Sequence, residues 1–146
     1  MEDKCNCREK NNCPLQNKCL SKGIVYQATV TTQKREESYV GMTADSFKIR
    51  YNNHKQSFNN PTYKNQTELS KYIWYLKEKK SDFQISWKIL HYAAPYNNRT
   101  KKCNLCTTEK WVILCEPHLA TLNSRVALIN SCPHRHKFLS KILPSF

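Results

Sequence analysis

The chain is poor in glycine, in acidic residues and in long apolar runs, and each shortage narrows what it can be. Of 146 residues only two are glycine, Gly23 and Gly41. Glycine this scarce is expected where the backbone must turn sharply or approach something closely. No stretch is apolar enough to span a bilayer, and the basic residues are spread along the chain rather than gathered on one amphipathic helix. Both features argue against a membrane as the partner. There is no internal repeat or low-complexity segment, which excludes a repeat architecture. Asp and Glu number 11 against 24 Lys and Arg, a formal charge of +13. Such an excess repels itself unless a polyanion is the partner, and nucleic acid is the expected one.

The sequence is rich in cysteine, with eight. Disulfides in a secreted protein and metal ligands in an intracellular one are the two explanations. The opening Met1-Glu2-Asp3-Lys4-Cys5 has no apolar leader, so an intracellular, nuclear protein is expected. A Met so close to a cysteine cluster reads as an excerpt from something longer. Cys5-x-Cys7-x5-Cys13-Pro14-x4-Cys19 is filled with polar residues that cannot pack a core. A four-cysteine zinc site there replaces the core, since tetrahedral zinc needs four soft ligands. Cys103-x2-Cys106 is half of a further zinc site, and Cys132 with His134 or His136 is a second half-site able to complete it. Cys115, among apolar residues, reads as core.

Residues 24–32 are rich in β-branched side chains and predict a strand, 33–37 a charged turn, and 38–42 a second strand. Residues 45–58 predict a helix capped by Thr43 or Asp45. Phe47, Arg50, Tyr51, His54 and Phe58 share one face of it, with Arg50 and His54 one turn apart. Standing alone, that pair would be a solvated cationic face. Thr67 predicts the cap of a helix through Lys77, with Glu68 a structural carboxylate in its first turn. Phe83, Ile85, Trp87 and Ile89 alternate with polar residues, predicting a third strand over 83–90. Residues 91–102 read as a loop. Thr107 is the expected cap of a helix holding Glu109, Val112 and Ile113, ended by Pro117. A last helix is expected from Leu122-Asn123 through Ile129. The fold class is α+β: a small three-stranded antiparallel sheet flanked by helices, with metal-stapled ends.

Cutting a phosphodiester needs a deprotonated nucleophile, charge stabilisation and help for the leaving group. One carboxylate can hold a Mg²⁺ or Mn²⁺ that keeps most of its waters, and Glu109 is the candidate. Arg50 can neutralise charge at the phosphate. A base near neutral pH can be a histidine, or a tyrosine whose pKa neighbouring cations lower; Tyr26, Tyr39 and His54 are the candidates. Asn123 is a scaffold amide, expected to bond backbone near Glu109. Each residue alone has an ordinary structural explanation, since tyrosines on strands are usually core.

In this order the set resembles the GIY-YIG nuclease family. There a hairpin bears two tripeptides, a helix bears Arg-x3-His, and a later helix bears a metal-binding Glu followed by an Asn. Ile24-Val25-Tyr26 matches the first tripeptide, Tyr39-Val40-Gly41 the second, and Arg50, His54, Glu109 and Asn123 the rest. The first tripeptide departs by opening on Ile24, with Gly23 one position early. Cys5-Asn6-Cys7, the run from Thr67 to Trp74 and the run from Cys103 to Lys110 look most like the endonuclease domain of Penelope-like retroelements. The paired cysteines usual between the two tripeptides are missing, because 30–38 contains none. The resemblance implies a zinc segment over 1–22, a nuclease domain over 23–131, and a zinc-ligand segment with a basic tail over 132–146. It implies a hydrolytic DNA endonuclease, acting with or fused to a reverse transcriptase and element RNA. Its nick exposes the 3′-hydroxyl that primes reverse transcription. Tyr26 would activate water, His54 accept the tyrosine's proton, Tyr39 position water or phosphate, Arg50 hold the phosphate and Glu109 the metal. Two other readings compete: a zinc-stapled nucleic-acid-binding module without catalysis, and a secreted cationic disulfide protein.

Overall fold

The computed structural model describes Cys5, Cys7 and residues 13–94, 96–97 and 102–123. Strands β1 (Ile24–Thr31), β2 (Glu36–Thr43) and β3 (Gln84–Tyr92) form one antiparallel sheet in the order β2-β1-β3. Helices α1 (Phe47–Asn59), α2 (Glu68–Glu78) and α3 (Asn104–Cys115) complete an α+β fold. Two short strands, β4 (Tyr96–Asn97) and β5 (Lys102–Cys103), pair with each other ahead of α3. No helix among the described residues is long and apolar enough to cross a membrane.

The central strand explains the layering. Side chains alternate across a strand, and β1 is buried without a break from Ile24 to Ala28. Ile24, Tyr26, Ala28 and Val30 pack with Phe47 and Phe58 of α1, Leu69 and Ile73 of α2, and Trp87 of β3. Val25 packs on the other face with Val40 of β2 and Leu105, Val112 and Ile113 of α3. The sheet is therefore covered on both faces at the end where Tyr26 sits. Complete burial of a side chain such as Phe47 or Leu69 is worth about 1.5–3 kcal/mol. Cys5, Cys13, Leu15 and Cys19 join the α1–α2 core and share it with Tyr26 and Phe47.

Both glycines are where close approach demands them. Gly23 has φ +61°, and a Cβ there would lie 2.8 Å from the Ala93 carbonyl oxygen. At Gly41, paired with Tyr26 across the hairpin, a Cβ would lie 2.5 Å from the Tyr26 hydroxyl oxygen.

Several boundaries differ from expectation. β2 begins at Glu36, so the charged turn is shorter, and β3 runs on to Tyr92 because its last residues pair with the start of β1. The loop expected over 91–102 holds the β4–β5 pair. α1 starts after Ser46, and neither Thr43 nor Asp45 caps it. α3 starts three residues before Thr107. Its cap is Cys103, whose sulfur accepts the Cys106 N–H, while the Thr107 hydroxyl donates to the Cys103 carbonyl. Cys115 is exposed at the end of α3 rather than core, because its position turns outward beside exposed Leu114. Thr67 does cap α2, through a reciprocal box with Ser70, and Glu68 pairs with Lys71 at 3.1 Å. Leu122 and Asn123 lie in a turn; the remainder of the expected last helix, with Cys132, His134 and His136, is outside the described residues.

Candidate active site and metal cluster

The register of the sheet gathers the tyrosines. Tyr26 faces Gly41 across the hairpin and Ala28 faces Tyr39, so Tyr26 and Tyr39 project on the side covered by α1. On α1, Arg50 and His54 are one turn apart and reach the same phenol. The Tyr26 hydroxyl lies 2.7 Å from His54 Nε2, and Arg50 Nε donates to it at 3.3 Å. The arginine can only donate, so the phenol oxygen accepts from Arg50; the phenol proton is directed at His54 Nε2 in the tautomer that leaves this nitrogen an acceptor. That tautomer is the neutral imidazole with its proton on Nδ1, and burial keeps His54 neutral. The Tyr39 ring lies 6.0 Å from the His54 ring, edge to face.

Glu109 comes from the other face. It falls between Leu105 and Val112 along α3 and is half-buried. Its charge acts on Tyr26, Tyr39 and Arg50. Asn123 bonds backbone as a scaffold amide should, but that of Val40 in β2 rather than backbone near Glu109. Its Oδ1 accepts the Val40 N–H and its Nδ2 donates to the Val40 carbonyl, each at 2.8 Å. This clamp holds Val40, the residue between Tyr39 and Gly41.

Burial governs the titration of the group. It lowers the His54 pKa to about 3, assisted by the Arg50 charge. It raises Tyr39 to about 12 against the pull of Arg50, and pushes Tyr26 above its ordinary value in the same way. This corrects the expectation of a tyrosine made acidic by cations: in a dry site desolvation outweighs the neighbouring arginine. Burial raises Glu109 to about 7 despite Arg50 and Lys110. The raised value records the cost of ionising a carboxylate that burial desolvates.

Trp87 was legible only as the inward side chain of a strand. Its ring lies 5.4 Å from that of His54 and 6.0 Å from that of Tyr26, and it is one wall that keeps both dry. Period-two alternation in β3 placed it inside, but nothing local said that the space held a histidine. The far end of α1 is tied down by α2, where Trp74 Nε1 donates to the Ser57 carbonyl at 2.7 Å.

The second assembly is the cysteine cluster. One sulfur from each of Cys5, Cys7, Cys13 and Cys19 lies within 4.8 Å of the others, and Cys7 Sγ is 3.6 Å from Cys19 Sγ. Four thiolates at about 2.3 Å from zinc stand roughly 3.8 Å apart, so the group could hold a metal ion such as zinc. Left-handed residues Gln16 and Asn17 fold the chain back on Cys13. Burial pushes the Cys13 thiol up, but N–H groups of Leu15, Asn17 and Cys19, with Cys5, outweigh it and bring it down to about 6. Thiolate character is what metal ligation needs. None of the seven described cysteines is in a disulfide. Scanned against protein-family models, curated proteins and solved structures, the chain matches none.

Proposed function

We propose that this chain is a metal-dependent DNA endonuclease of the GIY-YIG type, most like that of Penelope-like retroelements. Its nick in target DNA would prime reverse transcription during integration. The observation that carries the reading is the buried hydrogen-bonded group Tyr26–His54–Arg50, with Tyr39 and Glu109 beside it. The charge of +13 supports DNA as the substrate. Nuclear action, a fused or partnered reverse transcriptase and element RNA belong to the same proposal.

The chemistry follows from the hydrogen bonds. Neither a phenolate nor an imidazolium is accessible alone in so dry a site. A concerted transfer avoids the phenolate: water gives its proton to the Tyr26 oxygen while the phenol proton moves to His54 Nε2, and the imidazolium so formed, balanced by the phosphate charge, then passes its proton to solvent. The new bond joins the water oxygen to phosphorus, the bond to the 3′-oxygen breaks, and that oxygen takes a proton from solvent. Arg50 uses Nε to orient Tyr26, and its terminal nitrogens hold the phosphate. A bound phosphate also offsets the arginine charge and so raises the basicity of His54. Tyr39 orients the water or the phosphate. Bound at Glu109, a divalent cation would supply positive charge toward the phosphate oxygens. Zinc in the Cys5, Cys7, Cys13, Cys19 cluster is structural, and Cys103 and Cys106 would complete a second zinc site with Cys132 and His134 or His136. With one site per chain, a monomer nicks one strand.

A second reading, a nucleic-acid-binding module without catalysis, is favoured by the raised tyrosines and would share the charge and the cysteines. Supercoiled-plasmid cleavage in Mg²⁺ or Mn²⁺ decides between them. Wild type should convert the plasmid to open circles, while folded Glu109→Ala and Arg50→Ala should not. Cutting at wild-type rate by either variant would sink the assignment, and a gel shift without cutting by wild type would favour the binding module.

A further inference from the structure

We infer that the four-cysteine cluster, when it holds a metal, is the N-terminal cap of the helix that carries Arg50 and His54. Cys19 and Ser21 are then positioning residues for the site. The inference rests on the cluster holding a metal; it does not depend on whether the chain cuts DNA.

A helix leaves its first N–H groups without internal partners, and a Ser, Thr, Asp or Asn side chain commonly takes one of them. Ser46, at the cap position of α1, makes no such bond. The donors go instead to the cysteine segment. The Phe47 N–H donates to the Ser21 carbonyl at 2.9 Å, and the Lys48 N–H to the Cys19 carbonyl at 2.7 Å. Cys19 therefore faces both ways, its sulfur toward the cluster and its carbonyl toward the first turn of α1.

The segment that provides these carbonyls has little order of its own. Residues 13–22 form turns held by bonds such as Gln16 N–H to Cys13 O, Lys18 N–H to Leu15 O and Ser21 N–H to Lys18 O. A second contact runs in parallel. Tyr51, on α1, stacks on Phe47 at 5.8 Å and, like Cys7, packs against the core cluster that holds Cys5, Cys13 and Cys19. Phe47 in turn meets the Tyr26 ring at 5.2 Å. Four sulfurs this close cannot all be thiolates without a cation between them, so loss of the metal protonates or separates them and releases the carbonyls. By linkage, metal that binds only the assembled cluster favours the capped helix by the same free energy. The alternative is a staple that orders the N-terminal segment and leaves α1 indifferent.

The test is amide hydrogen exchange on the whole reduced chain, with zinc and after chelation, occupancy being followed by native mass spectrometry. Chelation should speed exchange at Phe47 and Lys48 by about tenfold or more, with a smaller change in α2. The emission of Trp87, which packs against Phe47, should shift with it. Cys5→Ser removes a ligand whose carbonyl takes no part in the cap. It should open the start of α1 at limiting zinc and close it again in excess zinc. Unchanged exchange at α1 on zinc release would overturn the inference, and so would a chain that binds no zinc. Should chelation unfold the whole protein, the Cys5→Ser titration decides: α1 opening ahead of α2 supports the cap, and simultaneous loss from both helices defeats it.

Discussion

On the α1–α2 side of the sheet aromatic side chains, two of them with polar ends, are buried among the aliphatic ones; on the α3 side the buried core holds aliphatic side chains and cysteine, with no aromatic ring. Tyr26, Phe47, Phe58 and Trp87 fill the first layer around His54, whereas Val25, Val40, Leu105, Val112 and Ile113 fill the second. An aliphatic layer asks only for volume. An aromatic layer can accept a buried imidazole and a buried phenol, provided that their polar atoms find one another. Tyr26, His54 and Arg50 do so, and their hydrogen bonds are at once structural satisfaction and candidate chemistry. Glu109 breaks the pattern: it is a carboxylate on the aliphatic side whose charge is felt on the aromatic side.

Opposite substitutions on the two faces sharpen that contrast. Tyr26→Phe keeps the ring but removes the hydroxyl that His54 and Arg50 share. Nicking should fall by at least about a hundredfold, and stability by about 1–3 kcal/mol from the unpaired buried nitrogen. Leu105→Ala on the aliphatic face should cost more stability, about 2–5 kcal/mol, yet leave nicking per folded molecule near wild type. Urea melts and single-turnover cleavage of the two proteins measure both quantities. Equal activity losses would mean that the faces are not functionally distinct.

Gly41→Ala tests the same border through the backbone. The added methyl meets the Tyr26 hydroxyl, the end of a ring hemmed in by Phe47 and Trp87. The phenol has to move off His54, at a cost of about 1–3 kcal/mol from overpacking. Cleavage should drop well below what that loss of folded protein explains. A variant that nicks normally once folded would show that the short Tyr26–His54 contact is dispensable.

The legible parts of this molecule were those with local periodicity. Alternation in β3, the three-and-four spacing in α1 and the Thr67 cap can each be read from a few neighbouring residues. What was not legible depended on partners far along the chain. The cap of α1 is a pair of carbonyls in the cysteine segment, and no side chain announces it. The cap of α3 is a sulfur, outside the usual oxygen donors of that motif. Asn123 could be read as a scaffold amide but not matched to Val40, some 83 residues away. The candidate residues were named from their order, whereas the direction of the tyrosine pKa shifts required burial, which order does not supply.

The smallest effect concerns Glu109 and carries a sign. Its folded pKa is raised to about 7 from an ordinary 4.5. Protonated, it tolerates its burial; ionised, it is desolvated. Its contribution to stability is therefore complete below about pH 4.5 and is lost as pH rises through about 7. His54 runs the other way: with its pKa lowered to about 3, its contribution is complete above about 6.5 and is lost as pH falls toward 3. Glu109→Gln abolishes the first dependence and leaves the second. The variant should therefore melt a few degrees above wild type at about pH 8, a gain of about 1–2 kcal/mol, and match it near pH 4.5. Mg²⁺ at the higher pH should stabilise wild type toward the variant and leave the variant unmoved, because only the carboxylate gains from the ion. Identical melting at both pH values would mean that Glu109 is solvated and ionised throughout, and the argument that a cation is needed to hold its charge would fail.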